Sequence, residues 1–90
     1  MDQNRAEIIA VEALSFLAAD EGRLRRLLDW TGLTVEELRA RAADPTILGG
    51  VLDYLLAHEA LIMAFAEEAN IDPQEPGRAR ALLPGASLAV

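Results

Sequence analysis

The chain has no cysteine and no lysine, a single histidine, and only four aromatic residues: Phe16, Trp30, Tyr54 and Phe65. Without cysteine, disulfides and thiolate metal sites are excluded outright. A lone histidine leaves no spacing for a histidine-based metal site either. The eight basic residues are all arginine and are outnumbered by fifteen Asp and Glu, so the net charge is −7. That balance opposes non-specific binding to nucleic acid or to anionic lipid, both of which need cationic surface. Long uncharged apolar runs are also missing. The most apolar stretch, Ile47 to Ala66, is broken by Asp53, His58 and Glu59, whereas a spanning helix needs roughly 20 largely uncharged residues. The opening Met1-Asp2-Gln3-Asn4-Arg5 lacks the basic and apolar regions of a signal peptide. A soluble, cytoplasmic chain is the expectation.

What is present is alanine and leucine, within a hydrophobic share of 52% over 90 residues. This favours helices over strands and supplies one core for one domain. A pattern also recurs 38 positions apart. Residues 14–21 read Leu-Ser-Phe-Leu-Ala-Ala-Asp-Glu, and residues 52–59 read Leu-Asp-Tyr-Leu-Leu-Ala-His-Glu. The register continues with Leu24 over Ile62, Leu27 over Phe65, Gly32 over Asn70, Thr34 over Asp72 and Glu37 over Glu75. One residue later, Arg39-Ala40-Arg41-Ala42 lies over Arg78-Ala79-Arg80-Ala81. A repeat of this length predicts pseudo-symmetric helical architecture.

Helix by helix, residues 3–19 carry a first stripe of Ile8, Val11, Leu14, Ser15, Leu17 and Ala18. Asp20 caps a second helix over 21–31, buried through Leu24, Leu27 and Leu28 and closed by Gly32. Thr34-Val35-Glu36-Glu37 is a capping box that opens a short third helix. Asp44-Pro45 starts a fourth, about 45–57, whose wide stripe makes it the central helix. Gly49-Gly50 in its first turns predicts close approach of another backbone. His58-Glu59 begins a fifth helix, buried through Leu61, Ile62, Phe65, Ala66 and Ala69 and ended by Asn70. Asp72-Pro73 begins the last element. Pro76-Gly77 disturbs its first turn, leaving 77–83 as its secure part. Pro84-Gly85 stops it, and residues 86–90 are expected to be a flexible tail. The expected fold is therefore all-α: a compact bundle of five or six short helices. It forms a single helical domain over 1–85, with two helix–helix–short-helix halves at about 6–43 and 44–83.

Phe16-Leu17-Ala18 before Asp20-Glu21, Thr31-Gly32-Leu33, Leu38 to Pro45, Val51-Leu52-Asp53, His58-Glu59 and Leu83-Pro84-Gly85 together resemble one family. It is a group of small, mainly alphaproteobacterial proteins called domain of unknown function 3572. The resemblance covers nearly the whole chain. Pro76-Gly77 departs from the helix-forming residues usual there in that family. The resemblance implies a small soluble bacterial protein and transfers no activity or catalytic residue.

Among candidate sites, Arg23, Arg26 and Trp30 fall within about 60° of one another on a helix, beside the leucine face. In the repeat register Trp30 matches Glu68, a residue expected to face water. Trp30 is then partly exposed and flanked by guanidinium groups, a composition common in binding hot spots. The competing reading folds Trp30 over the helix end, covering the core with its indole N–H at the edge. The second helices also differ in charge. Residues 21–31 hold three Arg against Glu21 and Asp29, net +1, and residues 59–69 hold Glu59, Glu67 and Glu68, net −3.

His58 matches Asp20 in the repeat, so it is read as a capping or surface residue. Adjacent helical residues diverge by roughly 100°, so His58 and Glu59 do not form a catalytic pair. Leu28 to Leu38 resembles a helix-turn-helix, with Gly32 in the turn and Arg39 and Arg41 on its second helix. Glu36 and Glu37, however, stand where base-reading residues belong. No nucleophile with a base, no phosphate-cradling glycine loop and no metal cluster is recognisable, and no cofactor is implied. The sequence thus points to a non-catalytic domain that binds another protein or itself. Arg23, Arg26 and Trp30 form its contact surface, and a helix-turn-helix-like nucleic-acid binder is the alternative.

Overall fold

The computed structural model describes residues 1–84 and is all-helical there. Its six helices are α1 (Gln3–Ala18), α2 (Glu21–Thr31), α3 (Val35–Ala40), α4 (Pro45–Leu56), α5 (Glu59–Ala69) and α6 (Glu75–Ala81). The tail expected at 86–90 lies outside the described residues. Among the described residues, no single helix is long and apolar enough to cross a membrane.

Local chemistry sets most of the boundaries. The carboxylates of Asp2, Asp20 and Asp44 accept from the amides of Arg5, Arg23 and Thr46, at 2.8, 3.0 and 2.9 Å. Each satisfies a donor that the first helical turn leaves unpaired. The capping box of α3 is complete: the Glu37 amide donates to Thr34 Oγ1 at 3.1 Å, and the Thr34 amide donates to Glu37 Oε1 at 3.0 Å. Helices α2 and α5 both end in left-handed residues, Gly32 at φ 75° and Asn70 at φ 57°.

The last helix differs from expectation. It begins at Glu75 and ends at Ala81, with Pro76 buried in its first turn. Proline there forfeits only an amide that has no helical partner. Asp72 prepares the turn, accepting from the Gln74 amide at 2.8 Å, while its own amide donates to Glu75 Oε2 at 3.1 Å.

Helices α1, α4 and α6 pack on one another at the centre; α2 and α5 lie against them, and α3 makes only slight contact with the rest. The buried side of α1 is Ala6, Ile9, Ala10, Ala13, Leu14 and Leu17. The expected stripe is therefore corrected: Ile8, Val11, Ser15 and Ala18 face outward, and the buried face is rotated roughly 110° from the one expected. Small alanines let α4 and α6 approach closely, and burying that continuous face outweighs exposing two aliphatic side chains.

Gly49 of α4 is buried, and a Cβ there would meet Arg80 Nη1 at 3.0 Å and the Pro84 carbonyl at 3.1 Å. Gly50 faces open space, so the expected close approach holds at the first glycine alone. Arg80 forks across that crossing. Its Nε and Nη2 donate to the two Asp53 oxygens at 2.6 and 3.1 Å, and Nη1 donates to the Leu83 and Pro84 carbonyls at 3.3 and 2.9 Å.

Helices α2 and α5 end alike, in left-handed Gly32 and Asn70, but the side-chain caps of α2 and α3 are not repeated in α5 and α6, and the halves do not share packing. Helix α6 sits against α1 and α4, whereas its counterpart α3 is peripheral. Ala79 is accordingly buried, and the matching Ala40 is exposed.

Candidate functional site

Trp30 lies one residue from the end of α2 and is 55% exposed. Its ring is nevertheless held. The Tyr54 ring of α4 meets it edge-on at 5.7 Å between centroids, and the His58 ring meets it at 6.1 Å and 71°. Tyr54 and His58 are themselves tilted together at 4.7 Å. Edge-to-face geometry sets the positive rim of one ring against the negative face of another, and each such pair contributes about 1 kcal/mol.

His58 stands at the N-cap of α5, as its repeat partner Asp20 stands at that of α2, but its side chain makes no capping bond. The Nδ1 position instead lies 2.9 Å from the Tyr54 carbonyl. A carbonyl oxygen only accepts, so Nδ1 is the donor in that contact. Beside Trp30, Thr31, Leu33, Thr46, Ile47 and Gly50 enclose an open hollow of about 240 Å³.

The arginines do not gather with the tryptophan. Arg23 places its guanidinium carbon 4.6 Å from the centroid of Phe16, a cation–π contact on the α1 side of α2. The Arg26 guanidinium lies back over Gly22 toward Asp20. Helical side chains lean toward the N-terminus of their helix, so an arginine four residues before Trp30 reaches away from it. Arg23, Arg26 and Trp30 share a helix face but form separate contacts. Tyr54 and His58, which sequence reasoning did not join to Trp30, are its real neighbours.

Asp20 is held below the usual carboxylate range, first by the Arg23 amide and further by the charges of Arg23 and Arg26. This capping role accounts for where Arg26 points. Among the described residues, no three His, Asp or Glu side chains gather in a way that would hold a metal ion.

The model of a family described as "Protein of unknown function (DUF3572)" matches residues 3–86, nearly all of the 90-residue chain. The chain belongs to that family. No curated protein and no solved structure matches it. The DUF3572 description names no activity and no ligand, so the Trp30 surface stands on its geometry.

Proposed function

We propose that this DUF3572 chain is a non-catalytic, cytoplasmic domain that binds another protein, with Trp30 at the centre of the contact surface. The observation that supports this is a tryptophan more than half exposed yet pinned by Tyr54 and His58 beside an apolar hollow. A rigid aromatic loses little entropy on binding, and the adjoining hollow offers a partner side chain a place to be desolvated. Net charge −7 and Glu36 and Glu37 in the first turn of α3 oppose the nucleic-acid reading, because both repel phosphate.

Two measurements test the proposal. Trp30 is the sole tryptophan, so its fluorescence should be red-shifted and readily quenched by iodide. Affinity capture from source lysate should then recover a partner that Trp30→Ala loses while its thermal melt matches the parent. A blue-shifted, unquenched emission, or a partner retained in full by Trp30→Ala, would refute it. Light scattering of the parent and the variant separates self-association from binding to a different chain.

A further inference from the structure

Helix α5 carries Glu59, Glu67 and Glu68 and no basic residue. Among the described residues none of these three joins an ion pair. Glu59, Met63 and Glu67 follow one another at four-residue steps, so they form a single stripe. All three are exposed, Met63 at 53%.

Two apolar hollows border α5 on opposite sides, about 150° apart around its axis. Toward α1 is one of about 330 Å³, lined by Val11, Phe16 and Phe65 together with Glu12 and Glu68. Ile8, one turn before Val11 on α1, extends the apolar surface outward, and each of the two is 44% exposed. At the stripe itself, Met63 and Glu67 line the other hollow, of about 330 Å³, with Ala66, Ile71 and Pro73. Two cations approach the first hollow and both are occupied. Arg5 lies 3.7 Å from Glu12 and 3.9 Å from Glu75, and Arg23 stacks on Phe16. The α5 side is acid alone.

We propose that this face of α5 docks a cationic amphipathic segment of a partner protein. Its apolar side chains would enter the hollow beside Met63, and Lys or Arg would stand opposite Glu59 and Glu67. The complementarity selects this occupant over others. A second copy brings its own charge of −7, and an anionic membrane or a nucleic acid brings phosphate; each meets like charge here. A neutral apolar segment would fill the Met63 hollow but leave the carboxylates desolvated and unpaired. Methionine suits such a surface because its flexible, polarizable side chain adapts to varied contacts. Trp30 lines neither hollow, so the inference goes beyond the Trp30 surface and stands apart from it.

The test uses the full chain and a fluorescent synthetic helix with leucines on one face and lysines on the other. A peptide with the same leucines and glutamates for lysines is the reference. Fluorescence anisotropy should show saturable binding of the lysine peptide that weakens as salt rises, and little binding of the glutamate peptide. The exposed double variant Glu59→Lys/Glu67→Lys should lose about tenfold or more in affinity, and Met63→Asp should lose comparably. A charge-matched control, Asp29→Lys/Glu36→Lys, and Trp30→Ala should bind like the parent. Equal binding of the two peptides, or equal losses in the α5 variants and the charge-matched control, would overturn the proposal. So would loss of binding in Trp30→Ala, which moves the site to α2. A dimer in light scattering that Glu59→Lys/Glu67→Lys dissociates would assign the face to a second copy instead.

Discussion

Two adjacent glycines in α4 show how finely the fold depends on single atoms. Both sit in a helix, where glycine is less favourable than alanine by about 1 kcal/mol. At Gly50 nothing lies within 4 Å of an added Cβ, so Gly50→Ala should raise stability by about 0.5–1 kcal/mol. At Gly49 the same methyl would press on Arg80 and on the Pro84 carbonyl. Neither yields cheaply, because Arg80 is tied to both Asp53 oxygens and to that same carbonyl. Gly49→Ala should therefore destabilise by about 1–2 kcal/mol. Chemical denaturation of the two variants should move their midpoints in opposite directions, and a matching gain at both would show that the Arg80 crossing does not restrain the position. The fork itself is specific to arginine. Lysine offers a point charge that cannot span two carboxylate oxygens and two carbonyls, so Arg80→Lys should recover little of the stability that Arg80→Ala loses.

At the scale of the helix, carboxylates at the caps make stability depend on acid. Asp20, Glu37 and Asp44 are each held below their ordinary range, chiefly by the amides of Arg23, Thr34 and Thr46, and Asp44 further by the Arg41 side chain. A carboxylate depressed in the folded state stabilises fully above its unfolded value. Protonation removes that contribution as pH falls through the ordinary carboxylate range toward the folded value. The melting temperature should therefore drop on acidification through that range, and Asp20→Asn/Asp44→Asn should flatten the drop while keeping cap acceptors. An unchanged acid limb would place the sensitivity elsewhere. Thr34→Ala breaks one arm of a capping box and should cost about 1 kcal/mol, visible as a lower denaturation midpoint.

These caps were legible in the sequence because each is settled within four residues. Helix faces were less so. The outward Ile8 and Val11 mimic a core stripe, and only the packing of α4 and α6 selects the alanine face of α1. The same limit governs the Trp30 surface. The sequence left Trp30 between an exposed and a core-covering reading, because Tyr54 and His58, which hold it, lie 24 and 28 positions away and no local rule joins them. The arginine placement failed for a different reason: a shared face on a helix does not specify which way long side chains lean.

Across the whole molecule the core is assembled from both ends of the chain. Helix α1 buries its alanine and leucine face against α4 and α6, and Leu17, Leu27, Leu48, Leu52 and Phe65 join one cluster. The left-handed ends common to α2 and α5 therefore do not make either half independent. A fragment of residues 1–44 would hold α1, α2 and α3 and lack every residue of α4, α5 and α6. Its longest helix has 16 residues, near the length at which an isolated helix is only marginally populated in water. Circular dichroism of that fragment should show weak helicity and a gradual melt. Mixing it with residues 45–90 should restore a cooperative transition, because each piece exposes the surface that the other buries. A cooperative melt of 1–44 alone as a monomer would mean that the first half carries its own core, and the central role of α4 and α6 would have to be abandoned.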